Sequence, residues 1–189
     1  MRVLFFGSDA YLSVPVLKHL ISSKSISHID VVTKNYSSDV FKYAERKNLP
    51  RTLFEDIDYS KRYDVGIVAS FGKLIPQKAI DLTKNGVLNV HPSLLPRWRG
   101  SSPVIHTILE GDAETGISIM KIVSDRFDSG SLLAQESYPV PADVFATDLT
   151  LFLAEKGGEL LLKCLKDLSS YLQNARVQTS SGVKIGETF

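Results

Sequence analysis

A single cysteine, Cys164, stands among the 189 residues, so no disulfide can form within the chain. It lies in the apolar run Leu160-Leu161-Leu162-Lys163-Cys164-Leu165, where it reads as a buried small hydrophobe and not as a nucleophile. An excess of one charge is also missing. Lys and Arg number 22 against 21 Asp and Glu, a net charge of +1, so no overall basic field recruits nucleic acid, and such binding needs a local patch or another domain. No apolar run approaches the ~18 residues of a membrane span, so no membrane partner is expected. His19, His28 and His106 show no metal-ligand spacing with Cys164 or a carboxylate, and no metal is expected. Internal repeats and low-complexity stretches are absent. The glycine pattern of a dinucleotide loop is absent too: after Gly7 the diagnostic positions hold Asp9 and Leu12, which excludes a nicotinamide or flavin site.

What is present, 43% hydrophobic and 23% charged residues, suits one ordinary soluble domain with a short tail, read as a monomer. The chain opens at once on Val3 to Gly7, a core strand and not a signal or transit peptide. Further strands are expected over Ile29 to Thr33, Val65 to Ser70, Val87 to Val90, Ile117 to Val123 and Leu132 to Val140. Helices are expected over Ser13 to Ser22, Val40 to Asn48, Pro76 to Lys84 and Ser101 to Glu110, with Pro76 at a first helical position. Continuous apolar strands alternating with helices predict a parallel sheet covered on both faces. Asp128-Ser129-Gly130 predicts a hairpin joining the last two strands, so the sheet is mixed. A final helix is expected from about Asp148 to Leu168 with Thr147 as N-cap; Gly157-Gly158 within it suggests close packing on the sheet. Residues 1–172 read as the folded domain and 173–189 as a polar tail or linker.

Ligands of open α/β sheets sit beyond the carboxyl ends of the strands. Gly7-Ser8-Asp9, Ser70-Phe71-Gly72, Asn89 to Pro96 and the Asp128 loop all belong there. Ser8 and Asp9 form either a tight turn capping a helix or a backbone N–H site for a substrate's polar end. Phe71, Gly72, Leu74 and Ile75 are either plain structure or an apolar wall suited to a flat heterocycle. Residues 89–100 read NVHPSLLPRWRG. Asn89 and His91, two apart on a strand, face one side, and Pro92 ends that strand. An amide beside an imidazole suits acyl chemistry, since one holds an oxyanion and the other moves a proton. A surface histidine is the plainer alternative. Asp125 and Asp128 are either local turn acceptors or partners for His91. Arg97, Trp98 and Arg99 form either a solvated turn or a phosphate-binding and stacking cluster.

NVHPSLLPRWRG closely resembles the core motif of the folate-dependent formyltransferases. Val3 to Asp9 resembles the family's first strand and loop, Ala69 to Pro76 its folate-side segment, and Gly116 to Gly130 its Asp-containing signature. The resemblance covers roughly residues 1–170. It implies an α/β Rossmann-like fold with 10-formyltetrahydrofolate as formyl donor and co-substrate. It also implies catalytic roles for Asn89, His91 and Asp128, the last because it precedes Ser129-Gly130. Ser93, Leu94, Leu95 and Pro96 match the tetrahydrofolate contact segment, joined by Phe71, Gly72, Leu74 and Ile75. Arg97, Trp98, Arg99, Ser8 and Asp9 fall to the acceptor side.

The Arg-Trp-Arg-Gly at 97–100 resembles the branch that formylates initiator methionyl-tRNA in translation initiation, and it is usually lacking in the glycinamide ribonucleotide branch. Arg126-Phe127-Asp128 resembles the mitochondrial form of eukaryotes, which implies a mitochondrial setting; the bacterial form would imply the cytoplasm. Two departures point the other way on the acceptor. The segment Thr33 to Asp39 is short where the family carries a basic tRNA-engaging loop, and the β-rich C-terminal tRNA-binding domain is expected to be absent after about Ile185. Formyl transfer to a small amine, such as an amino-sugar nucleotide or glycinamide ribonucleotide, and a non-catalytic folate-binding module are the alternatives.

Overall fold

The computed structural model describes residues 1–124, 126–179 and 182–186. The first apolar run forms β1 (Arg2–Gly7), followed by α1 (Ser13–Ser22), β2 (His28–Thr33), α2 (Asp39–Arg46) and a short β3 (Arg51–Leu53). The chain then returns to the sheet centre through β4 (Val65–Ala69), α3 (Gln77–Ile80) and β5 (Val87–His91). A two-residue β6 (Arg99–Gly100) and α4 (Pro103–Leu109) precede the hairpin of β7 (Glu114–Lys121) and β8 (Leu132–Pro139). Next come α5 (Ala146–Lys166), α6 (Leu168–Gln173) and β9 (Ile185–Gly186).

Seven strands form one sheet in the order β3-β2-β1-β4-β5-β7-β8. The first five run parallel, while β7 and β8 are antiparallel. This is the mixed sheet expected from the sequence. Strand order reverses between β1 and β4, so Gly7 and Ala69 end side by side at the switch point where α/β sheets bind ligands.

Alternation along β1 splits the core. Val3 and Phe5 face α1 and α5, packing with Leu17, Leu20, Ile67, Val90 and Leu161. Leu4 and Phe6 face the other way, onto Val32, Phe71, Ile75 and Leu82. Gly157 allows α5 to lie close on the sheet: a Cβ there would stand 2.7 Å from Val90 Cγ1.

The helix expected over 76–84 shrinks to one turn. Pro76 is its N-cap and not its first residue. Residues 82–84 give their backbone to Tyr63 instead: Tyr63 N–H donates to Leu82 O at 2.8 Å, and Lys84 N–H to Tyr63 O at 2.9 Å. The N-cap of α5 is Phe145, not Thr147, which sits in the first turn. β3 escaped notice because three half-buried residues carry no readable alternation.

Candidate functional site

The turns after β1, β4 and β5, together with the β7–β8 turn, enclose a cleft of about 1020 Å³. Asn89 and His91, at the end of β5, line it, and both are buried (9% and 4% exposed). Asp128 approaches from the hairpin turn with a left-handed backbone, φ 46°. Asn89 Nδ2 donates to Asp128 Oδ1 at 2.8 Å. His91 Nδ1 lies 3.6 Å from Asp128 Oδ2. The Gly100 N–H donates to that same Oδ2 at 3.0 Å. Asp125 lies outside the described residues.

The other imidazole nitrogen, His91 Nε2, meets the Trp98 carbonyl at 2.9 Å. A carbonyl only accepts, so Nε2 carries the proton and Nδ1 is the basic nitrogen. Nδ1 is thus the nitrogen that faces the Asp128 carboxylate.

Of the proposed folate-side residues, Phe71, Gly72, Leu74 and Ile75 line the cleft. Phe71 and Ile75 are buried, and Leu74 is 41% exposed, which makes an apolar wall. Ser93 to Pro96 do not line it. Ser93 Oγ donates to Arg97 O at 2.7 Å, and Ser118 Oγ donates to Ser93 O at 2.6 Å while accepting the Leu95 N–H at 3.1 Å. Leu95 is buried with Met120 and Leu132, and Gly116 gives room to Leu94. This segment braces β5 against the hairpin.

Asp9 lines the cleft, but the Ser8 and Asp9 N–H groups both donate to Ser13 Oγ, at 3.1 and 3.3 Å. Asp9 Oδ1 accepts from the N–H groups of Tyr11 and Leu12, each at 2.7 Å, so the capping turn is the arrangement observed. Arg97 is paired with Asp112, its Nε donating at 2.7 Å and its Nη2 donating to the second oxygen. That guanidinium holds the Asp112 carboxyl below the usual carboxylate range. Trp98 Nε1 donates to Asp112 Oδ2 at 2.8 Å, and its ring stacks on His106, centroids 5.1 Å apart. Arg99 lines the cleft and donates through Nε and Nη2 to Gln178 Oε1, at 3.1 and 2.7 Å. The Arg97-Trp98 pair thus fixes the carbonyl that His91 meets.

Sequence reasoning missed the Trp98 carbonyl, the Gly100 N–H, Asp112 and Gln178. Backbone groups leave no residue-type signal. Asp112 and Gln178 carry no motif of their own. The tail is also part of the site: β9 pairs in parallel with β6, and Val183, Ile185 and Gly186 line the cleft.

A family model described as formyl transferase matches residues 1–165. The chain belongs to the formyl transferase family. Among relatives of this formyl transferase domain, the mitochondrial methionyl-tRNA formyltransferase of Homo sapiens is 42% identical over 191 residues, covering 96% of this chain and 49% of the relative. The methionyl-tRNA formyltransferase of Anaplasma marginale (strain St. Maries) is 37% identical, covering 90% of this chain and 62% of the relative. The chain therefore spans about half the length of its mammalian relatives.

Two crystal structures show the same fold. The phosphoribosylglycinamide formyltransferase of Anaplasma phagocytophilum superposes with TM-score 0.76 at 20% identity, over 100% of this chain and 99% of that one. An N-formyltransferase from Helicobacter canadensis, in complex with folinic acid and dTDP-3-aminofucose, gives TM-score 0.77 at 18% identity, over 98% of this chain and 70% of that one.

Proposed function

We propose that this chain transfers the formyl group of 10-formyltetrahydrofolate to the amino group of methionyl-initiator tRNA. Residues 1–172 form the body of the catalytic domain, to whose cleft Val183, Ile185 and Gly186 of the tail add lining, with Asn89, His91 and Asp128 as the catalytic residues. The observation that carries the reading is the Asn89–Asp128–His91 cluster, buried at the base of a cleft with one apolar wall. Phe71, Leu74 and Ile75 offer that wall to the flat pterin, with the pliant Gly72 backbone between them.

The proposed chemistry uses this geometry. A neutral amine attacks the formyl carbon, and the carbonyl electron pair moves onto oxygen. Asn89 gives one amide proton to Asp128, which orients the carboxamide and leaves its second proton for the oxyanion. The attacking nitrogen becomes cationic and gives a proton to His91 Nδ1, directly or through one water. Asp128 stabilises the imidazolium. As the bond from formyl carbon to N10 breaks, its electrons go to N10, which takes the proton from His91. One proton thus passes from amine to tetrahydrofolate.

The names of relatives, methionyl-tRNA formyltransferases in mammals and bacteria, support the acceptor, and the mammalian names support a mitochondrial setting. With Arg97 paired to Asp112 and Trp98 buried, Arg99 is the member of that trio left at the cleft to meet an acceptor. The test is tetrahydrofolate release with charged initiator tRNA, compared with glycinamide ribonucleotide and an amino-sugar nucleotide. Release dependent on methionyl-tRNA supports the reading. Release only with a small amine, or folate binding without release, overturns it. Imaging the full gene product against a mitochondrial marker tests the setting; a purely cytosolic signal would contradict it.

A further inference from the structure

Gln178 lies beyond the residues matched by the family model, in the polar stretch after α6, and the mechanism above does not use it. Its carboxamide is nevertheless fully engaged. Oε1 accepts both Arg99 donors, and Nε2 donates its two protons to the carbonyls of Asp128 and Gly130, at 2.9 and 2.8 Å. Asp128 occupies the left-handed region, φ 46°, which is uncommon for a residue with a side chain though Asp adopts it more readily than most, and both its carbonyl and its carboxylate are held by hydrogen bonds.

The strand that bears Arg99 grips Asp128 twice. Gly100 N–H holds the carboxylate, and Arg99 holds the carbonyl through Gln178. The tail is itself fixed on this strand, since Arg99 N–H donates to Lys184 O at 2.9 Å. The carboxylate and carbonyl of one turn residue are therefore tied to the same two-residue strand.

We propose that Gln178 is a positioning residue for formyl transfer: its carboxamide fixes the Asp128 turn so that the Asp128 carboxylate stands between Asn89 and His91. This rests on the catalytic reading of Asp128 given above. The required chemistry is that of a donor. Gln178→Glu keeps the length and the acceptor for Arg99, but sets an acceptor oxygen against two carbonyl oxygens.

The experiment compares Gln178→Ala, Gln178→Glu, Asp128→Ala and the Gln178→Ala/Asp128→Ala double variant in the full chain. It has two readouts. One is hydrogen exchange of the Gly100 amide, with the amides of β1 and β4 as folding controls. The other is kcat per folate site, with sites counted by binding of 5-formyltetrahydrofolate. Gln178→Ala is expected to speed Gly100 exchange and lower kcat, each by about tenfold or more, with the KM for 10-formyltetrahydrofolate within about twofold of wild type. Gln178→Glu is expected to match it. In the Asp128→Ala background, Gln178→Ala is expected to cost nothing further, because the two act as one unit.

Unchanged Gly100 exchange in Gln178→Ala would overturn the proposal. So would wild-type kcat in Gln178→Glu, or losses that multiply in the double variant. If the wild-type chain transfers no formyl group, the catalytic reading fails instead, and Gly100 exchange alone decides whether Gln178 positions Asp128.

Discussion

Asn89 and Asp128, 39 residues apart in the chain, are joined by a 2.8 Å hydrogen bond from amide to carboxylate. In the proposed mechanism, that bond sets which Asn89 proton remains for an oxyanion. Removing the amide in Asn89→Ala is expected to lower kcat by ~10²–10³-fold, the usual loss for one oxyanion donor. Steady-state kinetics with 10-formyltetrahydrofolate check this, and an equal fall in kcat and kcat/KM is expected. Asn89→Asp is expected to do no better, since it sets a second carboxylate against Asp128.

The Arg97–Asp112 pair supports the carbonyl that orients His91. Asp112 is depressed by its hydrogen bond from Arg97, with Trp98 adding a second donor. A carboxyl with a lowered folded-state pKa contributes stability above its unfolded pKa of about 4 and loses it as pH falls through the folded value. Asp112→Asn is therefore expected to cost about 1–2 kcal/mol at pH 7, discounted for the partial exposure of Arg97, and less below about pH 4. Urea denaturation at several pH values measures both.

Much of this was legible in the sequence for physical reasons. Parallel strands buried on both faces must be continuous apolar runs, so β1, β2, β4 and β5 stood out. The period of two along Asn89 and His91 put both on one face, and a buried amide beside a histidine is unusual enough to signal chemistry. The arrangement of 93–99 was not legible. Arg97 and Trp98 read as free to meet an acceptor, and only the fold brings Asp112 to both. Ser93 to Pro96 are turned from the cleft by bonds to Ser118, a distant partner that no spacing reveals. The polar composition after Leu172 gave no hint that Gln178 and Ile185–Gly186 return to the site.

Gly157 shows how closely α5 rests on β5. Gly157→Val is expected to destabilise the domain by about 1–3 kcal/mol through overpacking against Val90 and Ile117. A lower midpoint with unchanged slope in denaturant would bear this out; equal or higher stability would mean the helix stands farther off.

Cys164 is fully buried, and burial pushes its thiol up to about 12. The folded chain is expected to resist iodoacetamide at pH 8 and to react on unfolding. Cys164→Ala is expected to leave kcat within about twofold, because the thiol lies in the core beneath α5, away from the cleft. Prompt alkylation of native protein, seen by mass spectrometry, would count against this packing.

The most direct measurement is formyl transfer by His91→Ala. Purified wild-type and variant chains, matched by circular dichroism and by 5-formyltetrahydrofolate binding, are given 10-formyltetrahydrofolate and charged initiator tRNA. The account predicts steady turnover by the wild type and a loss of ~10²–10⁴-fold in the folded variant, the range for a positioned acid–base group. Near-wild-type turnover by folded His91→Ala would contradict it.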